Sequence, residues 1–200
     1  SEEFPPVASF RDGRLRDLVR VYAGEDPPVM TLHSDVALPS RASRALAQCI
    51  LDDLAREFER AVFLAGAPAA SESELGDVFG VATSGPMEAR LERAGVTPAD
   101  GTGLIGGVTG TLVERCYRAD VPAAVLIVKA NPYLPDPAAA RAVIENALEP
   151  LAGFDIDTTE LEEQSDQIRQ QMEQIAQQYR QLTEPQAEPP EERSGPAMYQ

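Results

Sequence analysis

Residues 121–130, VPAAVLIVKA, form a run broken by a single charge, Lys129. Apolar residues that do not alternate with polar ones over this length predict a strand buried on both faces, which requires a sheet covered by helices on each side. The neighbouring segments agree. In SRASRALAQCILDDLAREFERAVFLAG, Ser40 is placed to cap a helix whose Ala42, Leu46, Cys49, Ile50, Leu54 and Phe58 form one apolar stripe, and AVFLAG reads as a second fully buried strand. DVFGVAT predicts another strand, and SGPMEARLERAG a helix from a Ser84 cap to a Gly95 stop. LPDPAAARAVIENALEPLAG predicts a helix capped by Asp136, with Pro137 in the first turn, where no amide donor is needed. Strands alternating with helices imply an α/β fold with three layers and a mostly parallel sheet.

The two ends differ from this middle. PPVASFRDGRLRDLVRVY predicts a hairpin: a strand through Val7 and Phe10, a turn at Asp12 and Gly13, and a strand through Leu15, Leu18, Val19 and Val21. VMTLHS follows as a short buried strand. From Thr159 the sequence TELEEQSDQIRQQMEQIAQQYRQL is strongly helical, with Thr159 and Glu162 at capping-box spacing. Leu161, Ile168, Ile175 and Leu182 recur every seven residues, and Ser165, Met172 and Tyr179 lie between them. Such a stripe serves either self-association or packing on the domain. The division expected is an α/β domain at 1–158, an amphipathic helix at 159–183 and a flexible acidic, proline-rich tail at 184–200, which closes on Met198, Tyr199 and Gln200.

Composition narrows the chemistry. A formal net charge of −16 disfavours nucleic acid and anionic membrane surfaces as partners. Lys129 is the sole lysine, and an acidic, arginine-biased composition fits a salt-adapted protein. Cys49 and Cys116 have no CxxC spacing and read as small core hydrophobes, so neither a metal site nor a redox motif is expected. No apolar run is long enough to span a membrane and the N-terminal residues do not read as a leader, so the cytoplasm is the expected location. The chain opens without Met, as if inside a domain.

GTGLIGGVTGTLVERC places Gly101, Gly103, Gly106, Gly107 and Gly110 ahead of a helix, where backbone amides can cradle phosphate. It lacks the Gly-Lys-Ser/Thr of a Walker loop and the preceding strand of a dinucleotide fingerprint. The alternative is that Gly106 and Gly110 permit close backbone approach to the sheet or to a neighbouring chain. His33 is the single histidine, and LHSD fits no nucleophile elbow, so a surface position at a strand end is expected. Carboxylate pairs such as Asp52 and Asp53 face water on an acidic surface. In LIVKANPYLPDPAAA, Lys129 ends the best strand and Tyr133 lies in a proline-stiffened loop. Either that loop holds a partner-binding surface, or it routes the crossover while Tyr133 covers the sheet edge.

SEEFPPV followed by a hairpin, GLIGGVTGTLVERCYRADVPAAVLIVKANPYLPDPAAA, and LAGFDIDTTELEE leading into a long helix together resemble the PAC2 family of proteasome assembly chaperones over residues 1 to 182. The resemblance implies a nucleoside-phosphorylase-like α/β fold without enzymatic activity or cofactor, self-assembled, that docks onto 20S proteasome particles or their subunits as an assembly chaperone or ATP-independent activator. The acidic composition suits a haloarchaeal member. Family members usually open with a strand and a glycine-rich turn ahead of EEFPP, and this chain does not contain them. Met198, Tyr199 and Gln200 resemble the hydrophobic–Tyr–any ending of proteasome activators, which implies docking by the tail. The competing function is a small-molecule or nucleotide-binding enzyme that uses the glycine-rich loop.

Overall fold

The computed structural model describes residues 7–36, 40–54 and 56–183. In chain order its elements are β1 (Ser9–Arg11), β2 (Arg14–Arg16), β3 (Val19–Glu25), β4 (Pro28–Ser34), α1 (Ser40–Leu54), β5 (Ala61–Pro68), β6 (Val78–Ala82), α2 (Gly85–Arg93), β7 (Thr97–Pro98), α3 (Gly107–Arg118), β8 (Ala123–Ala130), α4 (Pro137–Val143), α5 (Glu149–Ala152) and α6 (Thr159–Thr183). A single π-turn at Ile144–Leu148 joins α4 to α5.

The apolar run is β8, the pivot of a four-stranded sheet ordered β5-β8-β6-β7. Alternation along the strand sends Ala124, Leu126 and Val128 to one face, where they meet Met87 and Leu91 of α2, and Ala139 and Val143 of α4. Ala123 and Val125 point to the opposite face, where α3 lies on β5 and β8 and α1 packs against α3. Helices therefore cover both faces of the sheet. β5 is parallel to β8 and β7 to β6, but β6 runs antiparallel to β8. The reason is connection length. Only residues 69–77 join β5 to β6, too few for the crossover that a parallel return requires.

Several sequence expectations need correction. AVFLAG is not fully buried: β5 is the edge strand of the sheet, and Leu64, level with the fully buried Leu126, is 47% exposed. VMTLHS is not buried either. It lies in β4, which among the described residues pairs with β3 in a separate two-stranded sheet, and Val29 and Leu32 are exposed. The expected strand from Leu15 to Val21 breaks at Asp17 and Leu18, so one predicted hairpin becomes two. Cys116 is buried but Cys49 is exposed, because α1 turns the small residues Ala42, Ser43 and Ala47 inward. Asp53 beside the Cys49 thiol pushes its pKa up, and burial does the same at Cys116. Ser84 occupies the N-cap of α2 without a side-chain capping bond. Gly95, at φ +75°, follows that helix as expected.

Asp136 caps α4 through Ala139 N–H at 3.0 Å, with Pro137 next. The start of α6 is held differently from a capping box. The Asp157 carboxylate accepts Thr159 N–H at 3.0 Å, while Glu162 turns sideways to Arg141 of α4 at 3.2 Å. Glu145, in the π-turn, accepts from both Arg141 and Thr158 at 2.7 Å. This polar bracket fixes the root of α6 on its own domain.

Packing of α2 on the sheet is tight at Gly80, where a Cβ would stand 2.9 Å from a Leu91 methyl and 3.0 Å from one of Val96. Gly80→Val should therefore destabilise the domain by about 2 kcal/mol through overpacking. Leu126→Ala should cost about 3 kcal/mol through the cavity it leaves. Denaturant unfolding monitored by circular dichroism measures both.

Candidate interaction surface

The glycine-rich loop is shaped by its own backbone. Gly101 and Gly107 have φ of +71° and +65°, values open to glycine at little cost. The loop folds back over the first turn of α3, so that a side chain at Gly110 would collide with the Ile105 carbonyl. Gly106 is different: among the described residues nothing lies near its missing Cβ, so it makes no close approach to the sheet there. Phosphate is poorly served, because the Asp100 carboxylate already accepts Gly101 N–H at 2.8 Å. Two clefts, of about 380 and 320 Å³, flank β6 and β7, and neither is lined by this loop or by Lys129. Among the described residues no cluster of three His, Cys, Asp or Glu side chains is placed to hold a metal. No described helix is long and apolar enough to cross a membrane.

After β8 the chain forms a braced knuckle. Asn131 Oδ1 accepts Tyr133 N–H at 2.9 Å and Leu134 N–H at 3.2 Å, and Asp136 Oδ2 accepts Asn131 N–H at 2.9 Å. These bonds satisfy the loop's amides internally, and Pro132 and Pro135 restrict the chain further. Tyr133 is left 91% exposed, so it does not cover the sheet edge. Lys129 shares this end of β8 but turns away. Its Nζ donates to the Pro68 carbonyl at 3.3 Å and stands 3.9 Å from Glu74, tying down the connection between β5 and β6. Sequence adjacency paired Lys129 with Tyr133, but the structure gives them separate tasks.

A cluster missed at the sequence level surrounds Asp35. Arg20 donates to both carboxylate oxygens, at 2.8 and 2.6 Å, Arg16 donates at 3.2 Å, and the Ser9 hydroxyl donates as well. Hydrogen bonds from Arg20 and Ser9 hold the Asp35 carboxyl well below the usual carboxylate range, and Asp35 in turn raises the Arg20 pKa. The knot ties both hairpins to one carboxylate. His33 Nε2 lies 3.2 Å from Asp35 and its ring is 56% exposed, matching the expected surface histidine. Ser9, His33 and Asp35 do not make a catalytic triad, since the carboxylate rather than the imidazole stands in the middle. No local pattern in the sequence signals the cluster, since only Arg16 of RDGRLRD belongs to it.

Of the seven-residue stripe, Leu161, Ser165 and Ile168 are half-buried on the side of α6 that meets α4. The side chains of Met172, Ile175, Tyr179 and Leu182 lie outside what is described, as do Met198, Tyr199 and Gln200. The profile of the PAC2 family matches residues 1–176. The chain belongs to the PAC2 family. No protein with a curated description matches the sequence. Among solved structures, the chain is similar to PbaA of Pyrococcus furiosus, described as an archaeal homolog of proteasome-assembly chaperone, at 25% identity and a TM-score of 0.79 over 91% of this chain and 75% of that one. A Thermoplasma acidophilum protein of unknown function is 29% identical, with a TM-score of 0.70 over 94% and 76% of the two chains. PbaB of Pyrococcus furiosus, described as an archaeal proteasome activator, shares the fold at 18% identity and a TM-score of 0.72 over 88% and 79%. This PAC2 domain thus carries two exposed, internally braced features, the Tyr133 knuckle and the paired hairpins.

The Asp35 tie should be sensitive to acid. Its folded pKa lies below the unfolded value near 4, so its stabilisation is complete above about pH 4 and is lost as pH falls below that. The thermal midpoint of wild type should drop more steeply between about pH 5 and pH 3 than that of Asp35→Asn. Parallel slopes in a thermal-melt series would show that the carboxylate is not the titrating tie.

Proposed function

We propose that this PAC2 protein is non-enzymatic and docks onto 20S proteasome particles or their subunits, as an assembly chaperone or an ATP-independent activator. The observation that carries this reading is the similarity to PbaA at 25% identity and a TM-score of 0.79, together with membership of the family over residues 1–176. The local chemistry supports it. The glycine-rich loop lines neither of the two clefts at β6 and β7, and the exposed tyrosine is braced as a contact surface rather than enclosed as a catalytic group.

Three further elements belong to the proposal. Met198, Tyr199 and Gln200 dock in a pocket between partner subunits, with the apolar side chains buried. Self-association through α6, by Leu161, Ile168, Met172, Ile175, Tyr179 and Leu182, presents several tips at once and gains avidity for a ring-shaped partner. Tyr133 adds a contact from the domain, and Lys129, held by Pro68 and Glu74 at the end of β8, adds a separate one. The setting is the cytoplasm of a salt-adapted, haloarchaeal cell, as the net charge of −16 suits.

A pull-down against 20S particles and free subunits tests the reading. Wild type should bind, Tyr199→Ala and a chain ending at residue 197 should bind about tenfold or more weakly, and Tyr133→Ala should lose less. Equal binding by all variants would reject docking by the tail, and no binding by wild type to particles or subunits would reject the proteasome reading. Stoichiometric nucleotide binding at residues 101–110 in calorimetry would replace it with the enzyme.

A further inference from the structure

An aspartate followed by glycine is the step at which a backbone rearranges most readily, because glycine has no side chain to keep its nitrogen from the preceding carboxyl. This chain has two such steps, Asp12–Gly13 and Asp100–Gly101. In the reaction the glycine nitrogen attacks the carbon of the protonated carboxyl. A C–N bond forms, a carboxyl C–O bond breaks, and water leaves with the nitrogen's proton, giving a five-membered succinimide. Water then adds back. Addition at the former backbone carbonyl routes the chain through Cβ and Cγ, which is an isoaspartyl residue, and addition at the other carbonyl restores aspartate. Water is the sole co-reactant.

The fold treats the two steps differently. Asp12 and Gly13 are the central residues of the β1–β2 turn, at φ +51° and +76°, closed by the Arg11–Arg14 pair. The Asp12 carboxylate lies 3.8 Å from Arg11, and among the described residues Gly13 N–H makes no hydrogen bond to it. Asp100 and Gly101 follow the bond from Ala99 N–H to the Gly80 carbonyl, in an exposed stretch that belongs to neither strand nor helix. There Gly101 N–H donates to Asp100 Oδ1 at 2.8 Å, and among the described residues nothing lies within 4 Å of the missing Cβ of Gly101. The attacking nitrogen is thus held against the carboxyl it must attack, and its proton points at an oxygen that can leave as water. Holding reacting groups in contact is what converts a slow encounter into a reaction. We propose that Asp100–Gly101 is a site of spontaneous isoaspartate formation in the folded protein, and that the hairpin protects Asp12–Gly13. The product lengthens the backbone of the glycine-rich loop by one atom and frees Gly101 N–H from the side chain. The fold persists, because this stretch lies outside the core.

The test is to age the full chain for weeks at mildly acidic pH, folded in buffer and unfolded in guanidinium chloride. A glutamate-specific protease then releases residues 4–25 and 93–114, which carry one Asp–Gly step each. Electron-transfer fragmentation tells isoaspartate from aspartate in each peptide, and methylation by an isoaspartyl methyltransferase with a labelled methyl donor counts it. In the folded protein isoaspartate should build up about tenfold faster at Asp100 than at Asp12. In guanidinium chloride the two rates should become similar, since only the fold distinguishes the steps. Circular dichroism of the aged folded sample should match the fresh one. Asp100→Glu, whose longer side chain disfavours the five-membered ring, should remove the product from residues 93–114 and leave residues 4–25 as they were. Equal or faster reaction at Asp12 in the folded chain would overturn the proposal. So would a tenfold ratio that survives unfolding, because the preference would then belong to the sequence and not to the contact at Gly101.

Discussion

Burial of β8 on both faces is the constraint around which the domain is arranged. A strand that excludes water must find hydrogen-bond partners along both edges and apolar contacts on both faces. β5 and β6 satisfy the edges, while α2 and α4 on one side and α3 on the other satisfy the faces. Even its ends are closed. Thr83 Oγ1 accepts Ala123 N–H at 2.8 Å where the strand begins, and Asp77 accepts Lys129 N–H at 2.9 Å where it finishes. Gly80 lies level with Leu126 because only a residue without a side chain admits Leu91 and Val96 so close to the sheet.

Most of the described carboxylates face water, and a few organise the fold. Asp35 gathers two arginines and a serine from both hairpins, Asp136 closes the knuckle while capping α4, and Glu145 joins the π-turn to the start of α6. Each satisfies donors from more than one segment and so helps to fix their relative orientation. Glu145 illustrates the electrostatic consequence: Arg141 foremost and Thr158 second hold its pKa down, and the Arg141 pKa rises in return.

The exposed features of the fold sit on these polar braces rather than on the sheet. Tyr133 projects because Asn131 and Asp136 take up the backbone amides around it. Phe10 and Leu15 project because Asp35 has claimed the other face of their hairpin. Contact surfaces held by internal hydrogen bonds are ordered before a partner arrives, which lowers the entropy lost on docking.

The class of fold was legible in VPAAVLIVKA and in the alternation of strands and helices, because periodicity reports directly on how many faces of an element are buried. The Asp136 cap and the Gly95 stop were legible for the same local reason. The resemblance to the PAC2 family lay in the spacing of glycine-rich turn, helix, strand and proline loop, which is also a property of the linear chain. What depended on distant partners was not. AVFLAG and VPAAVLIVKA look alike, yet one lies at the edge and the other at the centre, since strand order is set by connection length and helix placement. Cys49 and Ala47 both suit an apolar stripe, and contact with α3 decided which turned inward. Asp35 stands 15 residues from Arg20 and 26 from Ser9, and no periodic pattern marks such a meeting. The sequence by itself therefore determined the layers and the family; the tertiary structure alone decided which apolar side chains face water, because that depends on which polar groups the folded chain brings together first.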